Sequence, residues 1–245
     1  FRPAKRAIGF LLIAWLGFPL LSLLSLLLGH VMGIVRLDFT FESFGQNLGP
    51  AGASIPDGAL PALGIIQLVA ILFNSFFASI TAFGEELGWR GWLLPNLRAL
   101  GTFPALILSG AIWGLWHAPV ILLGYNYARP DALGLLLMVC WCILLGIVIG
   151  WLRLRSASVW PAVLAHGAIN AATGAVLVVL VASDQSQDAV VFGSVLGWPG
   201  WILLAVTIVV LLATGQFRKQ PEPLPAKRQA VSGPVAAAPA PPTRG

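Results

Sequence analysis

Six long apolar stretches constrain what this chain can fold into. Of its 245 residues, 58% are hydrophobic and only 9% are charged, whereas a soluble domain carries about 25% charged residues. A helix needs about 20 apolar residues to cross a bilayer, and stretches near that length lie at 7–29, 62–84, 103–123, 131–151, 158–181 and 196–214. Because these runs are continuously apolar and do not alternate, they favour helices over a β-barrel. The chain is therefore predicted to be an all-α, polytopic transmembrane helical bundle of about six membrane-spanning helices.

The basic residues are unevenly distributed between the connecting segments. With the N-terminus in the cytoplasm and six helices threaded in order, only Arg36 and Arg129 of the 14 lysines and arginines fall outside. Such an excess of basic residues is typical of cytoplasmic loops. We therefore expect an integral protein of a bacterial plasma membrane with both termini cytoplasmic. The net charge of +5 is then explained by the basic residues of the cytoplasmic segments. The predicted partner is the lipid bilayer rather than nucleic acid.

The chain is predicted to consist of one membrane domain, residues 1–215, followed by a tail. The tail, residues 216–245, is rich in Pro and Ala, a composition that cannot bury a core, and we expect a disordered cytoplasmic segment. The first apolar run is too long for the core of a signal peptide and no small-residue cleavage site follows it, which predicts an uncleaved helix. The longest connection, about residues 30–61, is placed outside. Cys140 and Cys142 point to different sides of one helix, which favours ordinary packing.

An acidic pair lies near the end of the second apolar run. Burying a carboxylate in hydrocarbon costs at least a few kcal/mol, so Glu85 and Glu86 are candidates for a functional site. Arg90 is four residues after Glu86 and is predicted to pair with it and hold it ionised. Asn74 and Thr81 share a helical face with Glu85, and we expect this polar stripe to face the bundle interior.

Histidines occupy two further apolar runs. In the third run, Gly110, Trp113 and Gly114 share a face with His117, and the two glycines are predicted to let a neighbouring helix pack closely beside the imidazole. In the fifth run, His166 and Asn170 are four residues apart and project side by side. The remaining histidine, His30, lies at the end of the first run and is expected to have no catalytic role.

Four of these side chains are predicted to converge in a cavity open to the cytoplasm: Glu85, His117, His166 and Asn170. A carboxylate beside a histidine can deprotonate a water for attack on a carbonyl group. A second histidine and an amide can donate hydrogen bonds to the oxyanion that results. Together these groups suffice for peptide hydrolysis without a covalent intermediate.

A bound metal is the alternative way to activate the water. Glu85, His117 and His166 would make a zinc site with an open coordination position. The chain has no HExxH motif, so it is not an ordinary zincin. The residues alone leave metal-bound water and glutamate-activated water both open, with zinc as the candidate cofactor.

Three motifs occur in order along the chain: GEELGWRG with its EExxxR pattern, WGLWHAPV and HGAIN. This trio resembles the CPBP intramembrane endopeptidases, the group of type II CAAX prenyl proteases and bacteriocin-processing or immunity proteins. The resemblance covers about residues 80–175, which we expect to be the motif-bearing core. Family members often have Phe where this chain has Trp113, a conservative aromatic change.

The resemblance implies a role for each matching residue. Glu85 would activate water with His117, and His166 and Asn170 would stabilise the oxyanion. Glu86 and Arg90 would support the first motif. The family is described both as metalloproteases and as glutamic proteases, and its activity implies hydrolysis of a peptide or membrane-protein substrate near the cytoplasmic face, of CAAX type or in bacteriocin-related processing.

Two other classes of function fit part of the pattern. Intramembrane Glu, Arg and His also mark ion pathways, so a proton-coupled transporter is one alternative. The chain shows no internal repeat and no pair of Pro/Gly-broken helices, which transporters typically have. A non-catalytic immunity or scaffold protein with the same fold is the other alternative.

Overall fold

The helices of the bundle follow the apolar runs of the sequence. The computed structural model describes residues 7–218, so most of the predicted tail, residues 216–245, lies outside the described part. The helices are α1 (Ala7–Val31), α2 (Glu42–Asn47), α3 (Pro50–Ala53), α4 (Leu60–Glu86), α5 (Leu94–Leu97), α6 (Thr102–Trp116), α7 (Ala118–Ile121), α8 (Ala132–Ser156), α9 (Trp160–Leu180), α10 (Gln187–Phe192) and α11 (Trp198–Ala213). A π-helical turn, Leu87–Leu93, joins α4 to α5. The predicted all-α polytopic class is confirmed.

The apolar helices differ in length. Within residues 7–218, four helical stretches are long and apolar enough to cross a membrane: α1, Leu60–Leu100, α8 and α9. α6 and α11 are apolar but shorter, and the 15 residues of α6 span about 22 Å at 1.5 Å per residue. The run predicted at 103–123 is not one helix, because α6 ends at Trp116. Pro119 follows closely, and its ring nitrogen cannot donate the next helical hydrogen bond.

Small residues allow the helices to approach closely. α9 packs along α4 and α1, while α6 packs along α8. A Cβ atom built on Gly110 would lie 2.7 Å from the Cα of Ile143, and one on Gly114 would lie 2.5 Å from the Cα of Val139. The predicted close neighbour of the His117 helix is therefore α8.

The bundle has two ends. At the terminal end α1 begins and α8 ends, and the Phe10 and Trp151 rings are 5.6 Å apart there. At the loop end lie the connecting segments 32–59, 122–131 and 181–197. A β-bridge joins Leu37 to Val181 at this end, and an ion pair joins Arg129 to Asp188 at 2.9 Å.

Candidate active site

A cavity of about 630 Å³ lies between α6, α8 and α9. The four side chains predicted to converge all line it: Glu85, His117, His166 and Asn170. Aromatic residues make up much of the remaining wall: Trp113, Trp116, Tyr125 and Trp141. The cavity therefore combines polar groups able to act on a peptide bond with an apolar lining able to hold peptide side chains.

The carboxylate of Glu85 is held by an indole from another helix. Trp113 Nε1 donates a hydrogen bond to Glu85 Oε2 over 3.1 Å. Trp89 Nε1, one helical turn after Glu85, approaches the same oxygen at 3.5 Å. Trp113 is only 1% exposed, so the donor is fixed by packing. Glu85 Oε1 is the carboxylate oxygen that these two donors do not engage.

Glu86 lies behind the cavity in a buried charged cluster. Its Oε1 accepts hydrogen bonds from Arg90 Nη1 at 2.7 Å and from His166 Nδ1 at 2.9 Å. Glu86 is fully buried and Arg90 almost so. The predicted Glu86–Arg90 pair is present, and the bond between Glu86 and His166 links the first motif to the third. Sequence reasoning missed this link because the two residues are 80 positions apart.

The hydrogen bonds fix the proton positions on both histidines. His117 Nδ1 is 2.8 Å from the backbone oxygen of Trp113. A carbonyl only accepts hydrogen bonds, so the proton lies on Nδ1 and Nε2 carries a lone pair in the neutral ring. His166 Nδ1 likewise donates to the Glu86 carboxylate. Each imidazole thus has its Nε2 left for chemistry.

Trp113 is at the centre of this arrangement. Its ring is 5.8 Å from the ring of His117 and 5.2 Å from that of His166, both in edge-to-face geometry. The Arg90 guanidinium lies over the same indole, 4.5 Å from its centre, which adds a cation–π contact. The sequence placed Trp113 on the helical face of His117, four residues before it, but did not predict that its indole would contact Glu85, Arg90 and His166.

Of the polar stripe expected on α4, Glu85 lines the cavity but Asn74 and Thr81 do not. Asn74 and Thr81 are exposed, and Thr81 Oγ1 donates within its own helix to the oxygen of Ala78. The face of α4 that packs inward carries serines instead: Ser75 is fully buried, and a Cβ atom on Gly167 would lie 2.6 Å from the backbone nitrogen of Ser79. The expectation that Asn74 and Thr81 face the interior is wrong.

Among residues 7–218, no group of three His, Cys, Asp or Glu side chains lies close enough together to hold a metal ion. The hydrogen bonds of both imidazoles use Nδ1 and leave each Nε2 available. A zinc ion held by Glu85, His117 and His166 stays a prediction.

Comparison with known proteins identifies a family that this arrangement resembles. Residues 65–172 match the family model described as "Type II CAAX prenyl endopeptidase Rce1-like". The matched stretch contains every site residue described above, and the match confirms the resemblance to the CPBP endopeptidases.

A curated relative supports the assignment. The chain is 30% identical over 167 residues to the "CAAX prenyl protease 2" of Methanococcus maripaludis, an alignment that covers 64% of this chain. The alignment covers 53% of that protein, so the chain spans about half of its relative's length. No solved structure matches the chain.

Proposed function

We propose that this protein is an intramembrane endopeptidase that hydrolyses a peptide bond with a water activated by Glu85 and His117. The observation that carries the proposal is the fixed Trp113–Glu85 hydrogen bond at 3.1 Å in a cavity that His117, His166 and Asn170 also line. A protease family match over residues 65–172 supports the reaction class.

In the first step Glu85 and His117 prepare the nucleophile. Because Trp113 engages Oε2, Glu85 Oε1 is the oxygen that takes a proton from water. His117 Nδ1 donates to the Trp113 carbonyl oxygen, so its Nε2 has a lone pair that accepts a hydrogen bond from the second O–H of the water; this proton stays on the water oxygen and the bond orients it. The water oxygen then bonds to the carbonyl carbon, and the electron pair of the carbonyl moves to its oxygen.

In the second step the oxyanion is stabilised and the peptide is cleaved. Asn170 donates from its amide nitrogen. The bond between His166 Nδ1 and the Glu86 carboxylate orients the imidazole, which lines the same cavity and donates from Nε2 when that nitrogen also carries a proton. When the C–N bond breaks, the proton held by Glu85 passes to the leaving nitrogen, which balances the reaction.

The relative's name suggests the first substrate class to test. A prenylated C-terminal CAAX peptide is the candidate taken from "CAAX prenyl protease 2", and an unmodified leader peptide of the kind that bacteriocin-related processing removes is the second. Purified protein in detergent would be incubated with quenched fluorescent peptides of both kinds. Cleavage of either one supports an endopeptidase, and the ratio of the two rates assigns the class.

Matched variants separate catalysis from fold. Glu85→Gln and His117→Ala are expected to abolish cleavage, whereas Glu42→Gln and His30→Ala, which change the same residue types outside the cavity, retain it. Each sample is also assayed with a chelator, and a fully active chelated enzyme would support glutamate-activated water. A Glu85→Gln enzyme as active as wild type would overturn the proposal. A transporter would instead lose coupled flux in this variant, and a scaffold protein would keep its phenotype.

A further inference from the structure

The exposed part of the cavity lining marks its mouth. The exposed lining residues are Trp116, Val120, Tyr125, Asn170 and Gly174. They lie at and beyond the C-terminal end of α6 and in the second half of α9, with Tyr125 63% exposed. The buried lining residues Trp113 and His166 lie deeper. The cavity therefore opens toward the loop end of the bundle.

The connecting segments that border the mouth agree with this direction. Tyr125 and Asn126 belong to segment 122–131, and Ser194 and Leu196 belong to segment 181–197; all four line the cavity. Both segments lie at the loop end, where α8 and α11 begin. The connections at the terminal end, 98–101 and 157–159, contribute no residue to the described lining.

The two ends of the bundle carry opposite charge. Among the residues whose side chains the structure describes, the loop end holds two arginines and five acidic residues: Arg36, Arg129, Asp38, Glu42, Asp131, Asp184 and Asp188. Both arginines are paired, Arg36 with Asp184 and Arg129 with Asp188. At the terminal end lie four arginines: Arg98, Arg153, Arg155 and Arg218. Since arginine and lysine accumulate on the cytoplasmic side of membrane helices, the terminal end is cytoplasmic.

The sequence predicted both a cavity open to the cytoplasm and termini in the cytoplasm. A cavity open to the cytoplasm and a terminal end in the cytoplasm exclude each other in this fold, because the mouth lies at the opposite end of the bundle from Ala7 and Arg218, the first and last residues that the structure describes. The charge distribution decides between them. We propose that the cavity opens on the non-cytoplasmic side, and that its substrate is a polypeptide segment presented from that side of the membrane. This rests on the proposed endopeptidase function.

Cysteine labelling in intact bacterial cells tests the orientation. Cys140 and Cys142 are replaced by Ala, and single cysteines are introduced by Ser54→Cys at the loop end and Ala99→Cys at the terminal end, both exposed positions. A membrane-impermeant maleimide is expected to label Ser54→Cys in intact cells and Ala99→Cys only after permeabilisation. The reverse pattern would overturn the proposal. Labelling does not depend on catalysis, so it reads orientation even if the endopeptidase function is wrong.

A sided activity assay tests the substrate's direction of entry. A soluble, membrane-impermeant quenched peptide that wild-type protein cleaves in detergent is added to right-side-out and to inverted membrane vesicles. We expect cleavage by right-side-out vesicles, and a rate at least about tenfold lower for inverted vesicles. Cleavage confined to inverted vesicles would contradict the proposal while leaving the endopeptidase function intact. Vesicles of the Glu85→Gln variant serve as the control for contaminating proteases.

Discussion

The indole N–H of Trp113 on α6 donates to the carboxylate of Glu85 on α4 over 3.1 Å. This hydrogen bond joins the first two of the three sequence motifs, both of which lie within residues 65–172, the stretch that matches the family model. It also leaves one carboxylate oxygen for a water, and it comes from a side chain that is 1% exposed. Trp113 is thus a positioning residue in the proposed mechanism.

Trp113→Phe keeps the aromatic ring and removes the donor. A hydrogen bond to a charged group contributes about 1.5–3 kcal/mol, and about 1.4 kcal/mol corresponds to tenfold in rate. We therefore expect kcat to fall by about ten- to a hundredfold with KM changed by less than about threefold. Steady-state cleavage of the quenched peptide measures both constants.

Trp116→Phe is the matched control for that change. Trp116 lines the same cavity but belongs to the exposed mouth, so its variant should alter KM more than kcat. A Trp113→Phe enzyme with wild-type kcat would show that the indole N–H does not position Glu85.

Glu86→Gln removes the negative charge that Arg90 and His166 share. Leaving a buried cation without its partner typically destabilises a protein by about 3–5 kcal/mol. We expect a correspondingly large drop in the free energy of unfolding, measured by chemical denaturation in detergent micelles. Glu42→Gln, at an exposed carboxylate, should change stability by less than about 0.5 kcal/mol.

A second substitution distinguishes charge from packing in this cluster. Glu86→Gln combined with Arg90→Met removes both charges, and this double variant should recover part of the lost stability. If Glu86→Gln is as stable as Glu42→Gln, the Glu86–Arg90–His166 cluster does not hold the site together.

Gly114→Ala tests the close approach of α6 and α8. The added methyl would lie 2.5 Å from the Cα of Val139, and such overpacking costs about 1–3 kcal/mol. Gly9→Ala is the control, because no atom lies within 4 Å of its added methyl and alanine favours a helix by about 1 kcal/mol over glycine. Thermal unfolding should show opposite shifts for the two variants, and equal shifts would contradict the packing account.

We expect the hydrogen bonds that Asp38 accepts at the loop end to stabilise the fold at neutral pH and to lose this effect in acid. Partial burial alone would raise the pKa of Asp38, but hydrogen bonds from Thr40 and Ser43 outweigh it and lower the pKa from 3.8 to about 2. A lowered pKa in the folded state means that this stabilisation is fully present above the unfolded value and is lost as the pH falls through about 2. Asp38→Asn should therefore be less stable than wild type near pH 6.

The gap between wild type and Asp38→Asn should narrow as the pH is lowered from about 4 to about 2. Unfolding temperatures of the two proteins, measured in the same detergent across this range, give the comparison. A gap that does not depend on pH would mean that the Asp38 hydrogen bonds do not form.

The sequence predicted the helices and the four polar lining residues because both follow from local pattern. Apolar run length predicts a membrane helix, and the spacing of four between Glu86 and Arg90 predicts their pair. Counted from the predicted segment starts, His117 and His166 differ in depth by about 9 Å at 1.5 Å per residue. The crossing of α6 and α9 nevertheless places both imidazole rings against Trp113. The residue spacing within one helix cannot predict such a crossing.

Two other features were not predictable from spacing alone. The bond between Glu86 and His166 depends on how α4 crosses α9, which is a tertiary property. In the sequence, Asn74 and Thr81 are spaced as regularly as the serines on the inward face of α4. Which of these two faces is covered depends on where the neighbouring helices pack, and this is a tertiary property. The direction in which the cavity opens was also not predictable from spacing, because it depends on where the connecting segments lie in the structure.

The π-helical turn Leu87–Leu93 has a consequence for how this motif tolerates change in length. A π turn closes its hydrogen bonds over five residues where an α-helix uses four, so it stores an additional residue directly after the two glutamates. Removing one residue there would let the turn relax to α-helix while the helical residues beyond it keep nearly the same orientation relative to Glu85, because the wider turn had absorbed the additional residue. The EExxxR motif is therefore built on a segment that tolerates the loss of one residue, and a homologue one residue shorter in this turn would present the same side of its following helix.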